Sequence, residues 1–123
     1  MINILYVGIG GFIGASMRYL IGNWALKSFG DSFPYGTLIA NVFASILIGL
    51  ILEGSTNAWN LSPTTKLLLT TGLLGGLSTF STFSYQTVTL LNNSFILGSL
   101  NIITNLFLSL LGVVLGKYII NIF

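Results

Sequence analysis

The longest uncharged stretch of this sequence lies between Lys66 and Lys117, where no Asp, Glu, Lys or Arg occurs. Charged residues make up 5% of the whole chain, whereas hydrophobic residues make up 54%. A soluble domain has roughly a quarter of its residues charged, so a chain this poor in charge could not cover a water-facing surface. The sequence therefore predicts an integral membrane protein.

The apolar stretches are long enough for four membrane-spanning helices. One span needs about 20 apolar residues, and such segments run over about residues 2–26, 35–52, 64–91 and 95–122. Turn residues separate them, with Pro34 before the second span and Ser62-Pro63 at the start of the third. The first segment lacks the pattern of a cleaved signal and is expected to stay as a span. The chain is predicted to be one four-span domain, residues 1–123.

The inventory of reactive side chains argues against an enzyme. The sequence contains no cysteine and no histidine, which removes thiol chemistry and most zinc and haem sites. Its two carboxylates, Asp31 and Glu53, are expected in a loop and at a helix end. Proton-coupled transport normally needs an ionisable group within the membrane, so a small proton-coupled exporter is disfavoured as well.

The third span carries an unusual central segment, Thr71-Gly-Leu-Leu-Gly-Gly-Leu-Ser-Thr-Phe-Ser-Thr-Phe83. Paired glycines followed by a dense run of hydroxyl residues weaken a helix, so we expect a break near Gly75–Thr79. A break at bilayer depth frees backbone groups that must then meet protein, water or an ion. Gly72 and Gly76 also form a GxxxG pair typical of close helix packing, and both interpretations can hold.

The four basic residues give the chain no preferred orientation. Arg18 and Lys27 approach one side of the membrane, whereas Lys66 and Lys117 approach the other. Since an excess of Lys and Arg normally fixes the cytoplasmic side, this balance favours subunits that insert both ways and pair antiparallel. The alternative is that a single flanking residue or a partner decides the topology.

Polar residues recur one helical turn apart within the apolar spans. Asn41 and Ser45 lie on the second span, and Asn101, Asn105 and Ser109 lie on the fourth. Interhelical hydrogen bonding explains buried asparagines about as well as a permeation pathway does. Because amides, hydroxyls and aromatic edges donate hydrogen bonds or present positive edges, a pathway built from them suits a small anion.

Three motifs resemble those of the CrcB/Fluc fluoride channel family. They are Gly10-Gly-Phe-Ile-Gly-Ala-Ser-Met-Arg-Tyr19, Pro34-Tyr-Gly-Thr-Leu-Ile-Ala-Asn41 and Thr71-Gly-Leu-Leu-Gly-Gly-Leu-Ser-Thr-Phe-Ser-Thr-Phe-Ser84. The resemblance implies a passive, fluoride-selective channel that exports cytoplasmic fluoride down its electrochemical gradient and so relieves fluoride toxicity. It also implies an all-α, antiparallel dual-topology homodimer in the cell membrane of a prokaryote, with two pores and a structural Na+ at the dimer interface.

The resemblance assigns roles to individual residues of this chain. Phe80 and Phe83 match the family's aromatic box, whose positive ring edges face the anion. Asn41 and Ser109 match donors that replace part of the hydration shell of fluoride. The resemblance places three further residues along the pathway: Ser81, Thr82 and Arg18. For Arg18, anchoring of the helix end is an equally good interpretation.

The resemblance also implies a metal site and reveals two departures. The Na+ is expected on the backbone carbonyls of Gly75 and Ser78 from each subunit. Gln86 stands in the polar track where the family commonly has glutamate, and Val113 stands where relatives often have threonine. The alternative function is therefore a non-conducting or half-active structural subunit that works only in a heterodimer with a paralogue.

Overall fold

The structure is a computed structural model that describes residues 2–122. Within that range the chain is helical apart from short connections. The helices are α1 (Ile2–Phe29), α2 (Tyr35–Asn57), α3 (residues 63–77), α4 (Ser81–Asn93) and α5 (Phe95–Ile122). Within residues 2–122, four segments are long and apolar enough to cross a membrane, with α3 and α4 together forming the third of them. The predicted all-helical, four-span membrane fold is confirmed.

The helix ends follow local signals in the sequence. α1 ends at Phe29 because Gly30 adopts a left-handed conformation (φ 83°), while its N–H donates to the Leu26 carbonyl. α3 begins where Ser62 Oγ accepts from the Thr65 N–H, with Pro63 at the first helical position. α2 continues past the expected end at residue 52 as far as Asn57.

The helices pack through small residues. Most residues buried inside the bundle are glycines and alanines, such as Gly14, Ala40 and Gly116. Large apolar side chains mostly lie on the outside: Phe12 and Phe95, for example, are exposed. This distribution suits a lipid environment, because lipid leaves no hydrophobic force between helices and association depends on close backbone approach.

The packing brings the interrupted third span between α1 and α5. α3 packs along α1, where Gly10 and Gly72 meet so closely that a Cβ added to Gly72 would lie 3.0 Å from the Gly10 Cα. α4 packs on α5, and α5 also packs along α2. The break between α3 and α4 therefore lies next to α1, α2 and α5.

Candidate functional site

The third span is irregular over much of its middle. Residues Leu68–Leu74 form a π-helix, which is rare and frequently found at functional sites. One α-helical turn, Gly75–Leu77, follows, and the helix is then interrupted over residues 78–80 before α4 starts. A break was predicted near residues 75–79, and the structure confirms it. The glycine pair, however, lies inside the last helical turn of α3, and the interruption itself follows at residues 78–80.

Asn41 of α2 holds the break open by binding its backbone. Its side-chain Oδ1 accepts from the Thr79 N–H at 2.8 Å, and its Nδ2 donates to the Thr79 carbonyl at 3.1 Å. The side-chain amide of Asn41 thus binds both the backbone N–H and the backbone carbonyl of Thr79. Because the Thr79 N–H is engaged in this way, it does not extend the helix of α3.

Two backbone carbonyls next to the break lose their usual helical donors. In a continuous helix the Thr79 N–H would donate to the Gly75 carbonyl, and the Thr82 N–H to the Ser78 carbonyl. Here the Thr79 N–H donates to Asn41, and the Thr82 N–H donates to Thr79 Oγ1 at 3.2 Å. Gly75 also lies on an exposed face of the chain. Both carbonyl oxygens are therefore released from the helical ladder.

Arg18 of α1 caps the end of α3. Its Nε donates to the Gly76 carbonyl at 3.0 Å, and the contact is partly buried. A cation at this position pairs with a terminal carbonyl and complements the negative end of the helix dipole. The contact holds the guanidinium against α3, and both interpretations of Arg18 stay predictions.

A groove of about 740 Å³ opens beside the break. Phe80 and Phe83 form part of its wall with ring centroids 5.5 Å apart and planes tilted by 50°. Asn41 and Ser109 also line the groove. Two phenyl rings thus share one space with Asn41, Ser109 and other hydrogen-bonding side chains, and no charged side chain among residues 2–122 lines it.

A chain of buried and partly buried hydrogen bonds runs beside the groove and crosses three helices. Asn41 Nδ2 donates to Asn105 Oδ1 at 3.0 Å, and Asn105 Nδ2 donates to Asn101 Oδ1 at 2.9 Å. Asn101 Nδ2 then donates to Thr87 Oγ1 at 2.8 Å, and the Thr87 hydroxyl donates to the Phe83 carbonyl at 2.7 Å. Every bond points in the same direction, an arrangement in which each bond polarises the next.

Comparison with known proteins identifies the family. The family model described as "CrcB-like protein, Camphor Resistance (CrcB)" matches residues 5–117 of this chain. The chain belongs to the CrcB family. A protein of Clostridium perfringens named "Fluoride-specific ion channel FluC" is 58% identical over 114 residues, which cover 92% of this chain and 89% of that protein.

Two more distant relatives of this CrcB chain carry similar names. A Clostridium novyi protein named "Fluoride-specific ion channel FluC" is 50% identical over 118 residues, covering 95% of this chain and 92% of the relative. A Methanosarcina barkeri protein named "Fluoride-specific ion channel FluC 3" is 44% identical over 118 residues, covering 95% of this chain and 89% of the relative. The resemblance to this family seen in the sequence motifs is confirmed.

The other three residues predicted along the fluoride pathway of this CrcB protein do not line the groove. Thr82 and Arg18 share a separate cleft of about 370 Å³ between α1, α2 and α4, where Thr37 lies as well. Ser81 is exposed at the first position of α4. The structure therefore brings together four predicted pathway residues in the groove and leaves three outside it. The four in the groove are Asn41, Phe80, Phe83 and Ser109, and the three outside are Arg18, Ser81 and Thr82. The roles of all seven residues stay predictions.

Gln86 lies at a third place, a cavity of about 320 Å³ near the turn between α1 and α2. Asp31, Tyr35 and Thr37 also line this cavity. The Oε1 atom of Gln86 is buried and has no hydrogen-bond partner within residues 2–122. A buried acceptor without a partner is rare in native proteins, so the position predicted to depart from the family pattern is also an unsatisfied one within residues 2–122.

Thr79 and Thr87 were not singled out from the sequence, although both hold the site together. Thr79 provides the backbone that Asn41 binds, and Thr87 links the amide chain to Phe83. The only signal was the hydroxyl run that contains Thr79. Thr87 sits 14 positions before Asn101, and their contact depends on how α4 packs on α5.

Removal of the Thr87 hydroxyl should destabilise the folded protein. Thr87→Val keeps the shape of the side chain but leaves the buried Asn101 amide without its acceptor, which costs about 1–3 kcal/mol. We expect a lower midpoint of thermal unfolding in detergent for this variant. Thr87→Ser keeps the hydroxyl and should recover most of the loss.

Thr89→Val is the matched control for Thr87→Val. Thr89 lies on the same helix, is exposed, and donates to the Tyr85 carbonyl one turn earlier, as Thr87 does to Phe83. It does not take part in the amide chain, so its change should alter stability by less than about 0.5 kcal/mol. Equal losses in the two valine variants would contradict a special role for the buried chain.

Proposed function

We propose that this chain forms a passive, fluoride-selective channel that releases cytoplasmic fluoride down its electrochemical gradient. The observation that carries the proposal is the groove beside the break, where two phenyl rings, Asn41 and Ser109 converge and no charged side chain among residues 2–122 is present. The names of the relatives point to the same ion. The chain carries out transport and is not an enzyme.

The chemistry of the groove favours a small anion over a cation. The positive edge of an aromatic ring attracts an anion, and amide and hydroxyl groups donate hydrogen bonds to it. Fluoride holds its water strongly, so several donors must replace that water along the path. Among residues 2–122 no carboxylate lines the groove, so the described path neither repels an anion nor offers a proton-coupling group.

The groove needs a cover, and we propose that a second copy of the chain supplies it in antiparallel orientation. Phe80 is 77% exposed, and the exposed side of the break also carries Gly75 and Ser81. Polar backbone exposed at bilayer depth must be buried in protein or line a water-filled cavity.

The helix directions put Lys27 at one end of the bundle and both Lys66 and Lys117 at the other. Arg18 lies on α1 between the middle of the bundle and the Lys27 end, so neither end has a strong excess of positive charge.

A structural Na+ would fit between the two copies. The carbonyls of Gly75 and Ser78 have lost their helical donors, and carbonyl oxygens are hard ligands suited to a hard cation. With one pair from each subunit, these carbonyls would hold the ion at the dimer axis. When bound, the ion supplies positive charge that holds four carbonyl dipoles together.

Removal of Na+ should weaken the dimer. A ligand that binds only the assembled state stabilises it, by about 2.7 kcal/mol at a hundredfold excess over its dissociation constant. We therefore expect a higher unfolding midpoint and a larger dimer fraction in sodium than in potassium or choline buffer of equal ionic strength. Identical unfolding midpoints in sodium, potassium and choline buffer would contradict a structural sodium site at the dimer interface.

The decisive test is fluoride efflux from liposomes that contain only this purified chain. A fluoride electrode would follow release, a potassium ionophore would balance charge, and matched chloride-loaded vesicles would test selectivity. We expect rapid release of fluoride and no comparable release of chloride, with rates that a pH gradient leaves unchanged. A well-folded dimer that releases no fluoride would instead support the structural subunit of a heterodimer, and Gln86→Glu would then be tested alone and with candidate partner subunits.

A further inference from the structure

The side-chain amide of Asn41 is fully engaged within the protein. One N–H donates to the Thr79 carbonyl, the second donates to Asn105 Oδ1, and Oδ1 accepts from the Thr79 N–H. The backbone of Thr79 fixes which atom is oxygen and which is nitrogen, because its N–H needs an acceptor and its carbonyl a donor. Asn41 therefore has no free N–H to offer an anion in this arrangement.

Only one of these bonds can be given up without disturbing the break. The two bonds to Thr79 hold the backbone open between α3 and α4, whereas the third joins two side chains that both line the groove. An anion that reaches Asn41 from the groove must therefore take the N–H that Asn105 now accepts.

We propose that Asn105 is a positioning residue that competes with fluoride for the second N–H of Asn41 and so sets how weakly the ion is held. The inference rests on the function proposed above. Fluoride enters the hydrogen bond as Asn105 leaves it, and Asn105 takes the bond back as the ion moves on. The net free energy of fluoride binding at Asn41 is then the difference between two hydrogen bonds, one from Asn41 to fluoride and one from Asn41 to Asn105. Such weak net binding suits conduction, because a site must release its ion as readily as it binds it.

Asn105 is well placed for this exchange because other bonds keep it in position. Its Nδ2 donates to the backbone carbonyl of Asn101 and to Asn101 Oδ1, both at 2.9 Å. Asn105 is 5% exposed, so its Oδ1 stays next to Asn41 while an ion passes. The Asn41 amide is likewise held by Thr79 when its bond to Asn105 opens.

The test is Asn105→Leu, which removes the competing acceptor and fills the space that water would otherwise enter. Initial fluoride efflux rates from liposomes would be measured as a function of fluoride concentration. We expect the half-saturating concentration to fall about tenfold, the size of one hydrogen bond, and the maximal rate to fall as release slows. A defect in folding alone would lower the maximal rate without tightening the apparent affinity.

Asn101→Leu is the matched control. Asn101 lies one turn earlier on α5, is 0% exposed and belongs to the same amide chain, but it does not line the groove or touch Asn41. The backbone carbonyl of Asn101 continues to orient Asn105 in this variant. We expect a loss of stability and an unchanged half-saturating concentration.

The possible outcomes separate this inference from the proposed function. If Asn105→Leu does not elute as a folded dimer, Asn105→Ser replaces it, since serine can donate to the carbonyl one turn earlier as Ser45 does to Asn41. A conducting wild type with an unchanged or higher half-saturating concentration in the folded Asn105 variant overturns the competition. A folded wild-type dimer that conducts no fluoride overturns the proposed function instead.

Discussion

Phe83→Ile should reduce fluoride efflux about a hundredfold while leaving the protein folded. Isoleucine retains apolar bulk but has no ring and hence no positive edge toward an anion in the groove. A loss of this size corresponds to about 2.7 kcal/mol in the barrier. The loss is large because Phe83 and Phe80, whose centroids are 5.5 Å apart, form one aromatic pair that the change breaks up, and because no charged side chain among residues 2–122 lines the groove to compensate.

The measurement is electrode-recorded efflux from liposomes at equal protein density, with gel filtration to show that the variant remains assembled. Phe107→Ile is the matched control, since Phe107 lies on the exposed surface of α5 and lines neither the groove nor the other cavities. Its efflux should stay within about twofold of the wild type. A folded Phe83→Ile dimer with wild-type efflux would contradict the proposal that the phenyl pair lines the fluoride pathway.

The sequence was most informative where the relevant physics is local. Charge depletion and length predict four spans, and the glycine pair with its hydroxyl run predicts a break near residues 75–79. The interruption lies slightly later because distant side chains decide its position: Asn41 binds the Thr79 N–H, and Arg18 binds the Gly76 carbonyl. Such contacts span 38 and 58 positions in the chain, so no local pattern reveals them.

The candidate site was predictable only in part for a similar reason. Asn41 and Ser109 point into the groove as their helical stripes suggest, because α2 and α5 run without interruption through this region. Thr82 and Ser81 follow the break, where α4 starts with a new register, so their faces cannot be extrapolated from α3. That change of register takes Thr82 to the cleft beside Arg18, away from the phenyl pair.

Gly14→Ala should prevent correct assembly of the third span. A Cβ at this position would lie on the Leu73 carbonyl oxygen and 2.9 Å from the Leu77 nitrogen. Both are backbone atoms of α3, which cannot move aside as a flexible side chain would. Overpacking of this kind costs about 1–3 kcal/mol and occasionally more. Because the displaced segment leads directly into the break, we expect α3 to shift away from α1 and efflux to be lost together with stability.

Gly8→Ala shows whether this effect belongs to the contact rather than to glycine itself. Gly8 lies on the same helix, and a Cβ there meets nothing within 4 Å. Alanine is also the better helix former, by about 1 kcal/mol, so this variant should be as stable as the wild type or more so. The comparison is made by the fraction of detergent-extracted protein that elutes as a folded species and by its unfolding midpoint. Equal stability and equal folded fractions of the two alanine variants would mean that α1 and α3 do not approach closely at Gly14. The hydrogen bond from Arg18 to α3 depends on the same approach of α1 and α3, so that contact would then be contradicted as well.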